Sequence, residues 1–197
     1  GPVLKFIGSE DSLPPVMEGF FITGGKNIVG GGILCEDSNV KVLNCVISDN
    51  IGAGAVFCSG GAPRFINCVI AHNYNEGGYG AGIRTQDNTD ARFTNCKIVD
   101  NYTPSYAGGA YCREGVTTFV NCTIADNASD KGGGGIYTWL PDTKVFVHNS
   151  IIWNNKGGGV ITGREESDIS ISVDYSCVQG GYPGDGNIDE APLFVSD

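Results

Sequence analysis

Several residue types that mark common protein classes are scarce in this chain of 197 residues. There is one Met and there are few Leu, whereas Val, Ile, Phe and Tyr, which favour strands over helices, are plentiful. No apolar run approaches the roughly 18 residues of a membrane-spanning helix. This composition argues against a helical bundle and against a membrane span in this segment.

Basic residues are also scarce. The chain has 12 Lys and Arg against 22 Asp and Glu, giving a formal net charge of −10. A negative surface repels nucleic acid and anionic membranes, so we expect neither as a partner. A negative surface could bind calcium or a cationic partner, but solubility alone is also a sufficient reason for it.

Glycine is abundant, and it recurs in phrases. There are 31 Gly, about twice the average usage of roughly 7%. A Gly-rich phrase, a hydrophobic-Asn-Cys phrase and an Asp-Asn-like phrase each return at intervals of 23 to 28 residues. The copies of the Gly-rich phrase are GGILC, GAVFC, AGIRT, GGAYC, GGIYT and GGVIT. The copies of the hydrophobic-Asn-Cys phrase are VLNC, FINC, FTNC, FVNC and VHNS. Internal repetition of this length indicates a solenoid.

Each repeat contains short segments in which inward-facing and outward-facing residues alternate, as in a strand. Gly and Asn, which suit tight corners, separate these segments. A unit with three short strands and three turns, stacked at about 4.8 Å per coil, is a parallel β-helix. We therefore predict an all-β, right-handed parallel β-helix of about seven coils, each of 23–28 residues. Residues 3–197 are expected to form one domain, with residues 1–2 a scar of tag removal.

The repeated Asn residues are expected to stack in two inward ladders, because a buried amide must be hydrogen-bonded. The first ladder comprises Asn44, Asn67, Asn95, Asn121 and Asn149, and the second comprises Asn50, Asn73, Asn101, Asn127 and Asn155.

The eight cysteines are expected to be free, buried thiols. Cys45, Cys68, Cys96 and Cys122 fall in one ladder, and we expect Cys177 to join them. Cys35, Cys58 and Cys112 fall in another ladder, in which Thr replaces Cys in other coils. Stacked Cβ vectors run side by side, which disfavours disulfides. Zinc is the alternative, but the chain has no CxxC and only two His, whereas a zinc site needs several such ligands at short spacing.

An outward row of side chains is the first candidate binding surface. If the flanking residues point inward, the row reads Leu34, Phe57, Arg84, Tyr111, Tyr137 and Ile161, with Arg113 and Trp139 just beyond. Aromatic rings and Arg suit sugar rings and uronate carboxylates, so the candidate ligand-binding residues are Phe57, Arg84, Tyr111, Arg113, Tyr137 and Trp139. Alternatively, the row packs under a loop, a neighbouring domain or another copy.

A second candidate surface is the acidic row Asp49, His72, Asp100, Asp126 and Asn154. Adjacent coils would bring Asp100 and Asp126 to about 5 Å. That pair could share a proton or bind Ca²⁺, the one cofactor that the pattern admits, or it could be a solvated turn. Asp185, Asn187, Asp189 and Glu190 form a third candidate, which matches a calcium loop poorly and suits a cap over the last coil.

The repeats resemble those of right-handed parallel β-helix proteins of bacterial surfaces and secretomes, including polymorphic outer-membrane autotransporter passengers. VMEGFFITGG at 16–25 resembles a first repeat, and YSCVQGGYPGDGNIDEAPLF at 175–194 resembles the closing segment. The closing segment of such proteins commonly continues further, so residues 3–197 are expected to be excised from a larger protein. The resemblance implies a secreted or cell-surface location.

The resemblance leaves two functions open, because similar repeats occur in adhesins and passengers and also in polysaccharide lyases and epimerases. The first is a non-catalytic module, either a rigid scaffold or a surface that recognises carbohydrate or another surface protein. The second is a polysaccharide-active lyase, hydrolase or epimerase, for which we expect Arg84 and Arg113 to be the only Arg pair on neighbouring coils of one face. No catalytic residue is assigned, because fold alone does not supply function.

Overall fold

The fold is a stack of parallel strands, seen in a computed structural model that describes residues 1–8, 13–157, 161–163 and 170–194. The described residues form 23 strands and no helix. In chain order the strands are β1 (Leu4–Ile7), β2 (Val16–Glu18), β3 (Phe21–Ile22), β4 (Lys26–Val29), β5 (Ile33–Glu36), β6 (Lys41–Leu43), β7 (Val46–Ser48), β8 (Ile51–Ala53), β9 (Val56–Ser59), β10 (Arg64–Ile66), β11 (Val69–Ala71), β12 (Ile83–Gln86), β13 (Thr89–Thr94), β14 (Lys97–Val99), β15 (Tyr102–Thr103), β16 (Ala110–Val120), β17 (Thr123–Ala125), β18 (Ala128–Ser129), β19 (Ile136–His148), β20 (Ile151–Trp153), β21 (Ile161–Gly163), β22 (Ser170–Asp174) and β23 (Cys177–Val178).

Each turn of the chain supplies one strand to each of three faces. The first face stacks β1, β5, β9, β12, β16, β19 and β21, and the second stacks β2, β6, β10, β13, β16, β19 and β22. The third face stacks β3, β7, β11, β14, β17, β20 and β23. The long strands β16 and β19 belong to both the first and second faces, which joins these faces into one 12-stranded sheet. The predicted all-β parallel solenoid of about seven coils is confirmed.

The core consists of rows of equivalent apolar side chains. On the second face Phe65, Phe93 and Phe119 are fully buried, with ring centroids 4.9 Å and 5.3 Å apart. On the third face a row of Ile runs the length of the stack, through Ile22, Ile47, Ile70, Ile98, Ile124 and Ile152. Burying each of these side chains contributes roughly 1.5–3 kcal/mol, which is why the repeat keeps large apolar residues at these positions.

The second Asn ladder is buried, as predicted. Asn50, Asn73, Asn101 and Asn127 each donate a side-chain hydrogen bond to the Asn of the following coil, at 2.9–3.1 Å. The same acceptor oxygen also takes the backbone N–H of the preceding ladder residue. The ladder therefore satisfies the backbone and the buried amides together.

The first Asn ladder forms, but its predicted inward orientation is wrong. Asn67, Asn95 and Asn121 donate to the Asn of the preceding coil at 3.1–3.2 Å, yet all of these residues are exposed. Their φ angles are +54° to +55°, so each residue forms a left-handed corner that Asn tolerates well. Asn44 and Asn149 occupy the same exposed corner.

The thiols are free and buried at all eight cysteines, which all lie in the described part of the chain. Cys45, Cys68, Cys96 and Cys122 each direct their sulfur to the carbonyl two residues earlier. Cys177 does not join this ladder as predicted, because it pairs with Ile151. Ser150 and then Ser176 continue the ladder, each accepting the backbone N–H of the preceding coil through its hydroxyl.

Candidate functional site

The outer surface of the first face contains the predicted row of aromatic and Arg side chains. Backbone pairing places Leu34 beside Phe57, Phe57 beside Arg84, and Tyr111 beside both Arg84 and Tyr137. The row does not continue to Ile161, because Tyr137 pairs with Thr162. The last coil is thus one residue out of the predicted register.

The rings of this row are covered, which corrects the expectation of an open outward file. Phe57, Tyr111 and Tyr137 are only 4%, 2% and 7% exposed. They lie outside the solenoid core. Tyr79 packs on Tyr111 and Tyr106 packs on Tyr137, whereas the guanidinium of Arg84 lies over the ring of Phe57. Packing under a loop, the alternative considered from the sequence, therefore applies to Tyr111 and Tyr137.

The covering loops supply two aromatic residues that were missed from the sequence. The Tyr79 ring lies 4.9 Å from Tyr111 and 5.8 Å from Tyr106, measured between centroids. The Tyr106 ring lies 4.9 Å from Tyr137. Tyr79 is 37% exposed and so forms the outer surface of the cluster. The available signal was the spacing, since Tyr79 and Tyr106 are one coil apart and each lies two residues before the start of a Gly-rich phrase.

Arg84 is fixed between two rings of the cluster. Its guanidinium carbon lies 5.2 Å from the centroid of Phe57 and 5.6 Å from that of Tyr111. Arg84 Nε also donates to Gln86 Oε1 at 3.0 Å. Burial lowers the pKa of Arg84 from its ordinary value, although the group stays charged at neutral pH. This cation is held in place before any ligand arrives.

Arg113 and Trp139 lie beside each other on adjacent coils of the same face. Trp139 stacks on Tyr137 and Tyr79 at centroid distances of 6.0 and 6.5 Å. Arg113 Nε lies 3.4 Å from Glu114 Oε2, but this buried nitrogen finds no hydrogen-bond acceptor among the described residues. Arg113 is thus a second cation at the edge of the aromatic cluster. Arg64 and Arg92 also pair on adjacent coils, on the second face, so the expectation that Arg84 and Arg113 are the only such pair is wrong.

An acidic residue borders the two arginines. Asp87 accepts hydrogen bonds from Ser59 Oγ at 2.7 Å and from Gln86 Nε2 at 2.6 Å. The bond from Ser59, followed by that from Gln86 and the charges of Arg113 and Arg84, lowers the pKa of Asp87. The site therefore combines two cations with a carboxylate that stays ionised in mildly acidic solution.

The acidic row forms a second set of left-handed corners. Asp49, His72, Asp100, Asp126 and Asn154 are exposed and have φ angles of +53° to +56°. Asp126 accepts a hydrogen bond from Asn154 Nδ2. Within the described residues, no three His, Cys, Asp or Glu side chains converge as metal ligands. Calcium binding by Asp100 and Asp126 stays a prediction.

The closing segment holds the last coil through side-chain bonds to backbone. Asn187 Oδ1 accepts from Ser176 N at 2.9 Å, while Asn187 Nδ2 donates to Val173 O at 2.7 Å. Asp189 Oδ1 accepts from Gly180 N at 3.0 Å. Two of the four polar residues considered for a calcium loop are thereby engaged in holding the end of the solenoid.

A cleft of about 360 Å³ lies between β4, β8 and the loop that carries Glu76. Lys26 Nζ and Glu76 Oε1 line this cleft and lie 3.3 Å apart. The side chains of Lys26 and Glu76 are more exposed than those of Arg113 and Glu114, so water screens their charges more strongly and the cleft offers a weaker electrostatic anchor than the first face.

Stacked parallel strands, buried Asn rows and left-handed corners define the chain as a β-helical solenoid. Residues 22–139 and 65–180 match the family model described as right handed beta helix region. The chain therefore belongs to the right-handed β-helix family. No curated protein and no solved structure matched the sequence. Nothing in the described part of the chain is a helix that could cross a membrane.

Proposed function

We propose that this β-helix is a non-catalytic module of a secreted or cell-surface protein, and that its first face recognises acidic carbohydrate. The recognition face is defined by Tyr79, Arg84, Tyr106, Arg113 and Trp139. The proposed location rests on the resemblance of the repeats to those of autotransporter passengers. Seven stacked coils would make a rigid support about 34 Å tall for such a face.

The arrangement of the aromatic rings favours an acidic rather than a neutral sugar. Tyr79 and Tyr111 stack with an interplanar angle of 21°, and Tyr111 and Tyr137 with an angle of 10°. The ring faces are therefore turned toward one another, and few are open for stacking on a sugar ring. The guanidinium groups at the edge of the cluster remain as the main recognition elements, and carboxylate or sulfate is their preferred partner.

The fixed position of Arg84 between Phe57 and Tyr111 carries this proposal. An immobilised side chain has already lost its rotamer freedom, so little further entropy is lost when an anion binds. Arg113 lies near enough for the two charges to influence each other, and an anion placed between them would relieve their repulsion. The net charge of −10 means that attraction must come from this local pair rather than from the whole protein.

A glycan array tests the proposal. The array should carry uronate-containing, sulfated and neutral oligosaccharides, and the proteins should be wild type, Arg84→Gln, Arg113→Gln and Arg92→Gln. Arg92 is an exposed outward residue of β13 on the second face and serves as the matched control. We expect acidic glycans to bind wild type and Arg92→Gln alike, with a loss of about tenfold in affinity for the other two variants. Equal binding by all four proteins, or no binding, contradicts the proposal.

A polysaccharide-active enzyme is the second candidate, favoured by the placement of Arg84 and Arg113 on adjacent coils of one face. A lyase needs a base that can take a proton next to a carboxylate. The same acidic polymers should therefore be incubated with the protein and followed by absorbance for new unsaturated ends. If unsaturated ends accumulate steadily with the wild-type protein but not with Arg84→Gln, the protein is an enzyme and the proposal of a non-catalytic recognition module is wrong.

A further inference from the structure

A chain of hydrogen bonds links Arg84 to the preceding coil. Arg84 Nε donates to Gln86 Oε1 at 3.0 Å, and Gln86 Nε2 donates to Asp87 Oδ2 at 2.6 Å. The same carboxylate oxygen accepts from Ser59 Oγ at 2.7 Å. Ser59 belongs to β9 and pairs with Gln86 across the two coils. The guanidinium group is therefore tied to a strand of the preceding coil through two side chains of its own coil.

The groups on either side of Gln86 fix the orientation of its amide. A guanidinium group only donates hydrogen bonds, and an ionised carboxylate only accepts them. The hydrogen bond from Ser59 lowers the pKa of Asp87, so this carboxylate is ionised at neutral pH. The amide must turn its oxygen to Arg84 and its nitrogen to Asp87, because the reverse orientation would place donor against donor and acceptor against acceptor.

The strand that anchors this chain of bonds also supports one face of the guanidinium group. Phe57 and Ser59 both belong to β9, and the guanidinium carbon of Arg84 lies 5.2 Å from the centroid of Phe57. Tyr111, from the coil on the other side, lies 5.6 Å from the same carbon. Since β12, which contains Arg84, is paired with both β9 and β16, these partners are held at fixed heights above and below it.

These contacts leave one edge of Arg84 for a ligand. The rings of Phe57 and Tyr111 lie against the two faces of the guanidinium group, and its Nε–H is engaged by Gln86. The remaining edge is formed by Nη1 and Nη2, and the Arg84 side chain is half-buried rather than enclosed. Two parallel N–H groups on such an edge match the two oxygens of a carboxylate.

The contact partner of Arg84 is a neutral amide. A carboxylate in direct contact with Arg84 would pair with its charge and compete with an acidic ligand. Gln86 supplies an acceptor without a charge, and the charge of Asp87 lies one side chain further away. Arg84 is thus oriented without being neutralised by the group that orients it.

We propose that Gln86 and Asp87 are positioning residues of the recognition face. They hold Arg84 so that its Nη1 and Nη2 edge is turned to a uronate carboxylate, and the neutral amide of Gln86 keeps the charge of Asp87 away from that edge. This inference rests on the proposed recognition of acidic carbohydrate and deepens it, because it names the bound group and the residues that prepare the site for it.

Hydrogen exchange of the Arg84 Nε–H, followed by NMR in the absence of ligand, tests the positioning. The signal is assigned by its loss in Arg84→Gln. We expect the wild-type exchange to be slower than that of the exposed Arg92, and Gln86→Leu to accelerate it about tenfold. Gln86→Glu combined with Asp87→Asn should restore slow exchange, because the new carboxylate accepts from Arg84 and the new amide donates to that carboxylate.

Calorimetric titration with an oligogalacturonate tests the consequence for binding. Gln86→Leu should lose roughly threefold to tenfold in affinity, because Arg84 must then be immobilised when the ligand binds. The double variant should stay as weak as Gln86→Leu despite its slow exchange, because its new carboxylate lies against Arg84. Thr118→Leu, at a half-buried position of β16 on the second face, is the matched control and should bind as wild type does.

The outcomes separate this inference from the proposed function. Unchanged exchange in Gln86→Leu, or equal affinity of Gln86→Leu and wild type, overturns the positioning role. Wild-type affinity in the double variant overturns the role of the neutral amide. A wild-type protein that binds no oligogalacturonate contradicts recognition by this face, whereas the exchange measurement still decides whether Gln86 holds Arg84. Melting curves check that each variant is folded.

Discussion

Asn101 Oδ1 accepts hydrogen bonds from both the backbone N–H and the side-chain amide of Asn73, at 3.1 and 2.9 Å. One coil thereby supplies the partner that the corner of its neighbour would otherwise lack. Because the same bond recurs between successive coils, the amide ladder fixes the vertical register of the solenoid as well as satisfying its buried groups.

Asn101→Ala is expected to lower the free energy of unfolding by about 2–4 kcal/mol, because it leaves the backbone N–H of Asn73 and one of the two N–H groups of its side chain buried without an acceptor. Asn95→Gly is the matched control on the exposed ladder, since glycine keeps the left-handed corner. It should cost under about 1 kcal/mol. Urea unfolding measures both variants, and equal losses would contradict a structural difference between the two ladders.

The cysteines are expected to react as free thiols. All eight are buried and unpaired, so the native protein should react slowly with a thiol reagent. After denaturation without reductant, all eight thiols should react with the reagent at once. Recovery of few thiols would mean that the stacked cysteines are bridged and that the register described above is wrong.

Asp87 is expected to link stability to pH. Since the hydrogen bond from Ser59 lowers the pKa of Asp87 in the folded protein, the ionised form stabilises the fold above the unfolded value of about 3.9. That contribution is lost as the pH falls through the lower folded pKa. The difference in unfolding free energy between wild type and Asp87→Asn should be constant from neutral pH to about pH 5 and shrink below about pH 3.9. A difference that grows on acidification would contradict the assignment.

Calcium at Asp100 and Asp126 is tested by thermal unfolding. Occupancy would raise the Tm of wild type at millimolar calcium through mass action and would leave Asp126→Asn unchanged. Magnesium at the same concentration controls for ionic strength. An unchanged Tm of the wild-type protein in calcium would show that Asp100 and Asp126 do not form a calcium site.

The repeat could be predicted from the sequence because stacking makes each residue depend on its counterpart one coil away. The Ile47, Ile70, Ile98 and Ile124 row and the buried Asn ladder follow directly from this rule. The orientation of the other ladder could not be predicted by alternation. Along a strand, successive side chains point alternately inward and outward, but a residue with positive φ interrupts this alternation. Asn44 and Asp49 are such residues and lie at exposed corners, whereas the residues that follow them, Cys45 and Asn50, are buried.

The candidate site was only partly predictable for a different reason. Pairing placed Arg84 beside Tyr111 on the first face, but the covering of that face depends on loops whose lengths differ between coils. Tyr79 and Tyr106 come from such loops, and strand alternation says nothing about where a loop side chain packs. The last described strand of the first face is also one residue out of the predicted register, with Thr162 rather than Ile161 paired with Tyr137.

The most direct test of the account is calorimetric titration of wild type, Arg113→Gln and Arg92→Gln with an acidic oligosaccharide selected from the array, at low and high salt. The account predicts saturable binding by wild type and Arg92→Gln that weakens with added salt. Arg113→Gln should lose about tenfold in affinity, with an unchanged melting curve. Binding that is insensitive to Arg113, or equal for a neutral oligosaccharide, would contradict recognition through Arg84 and Arg113.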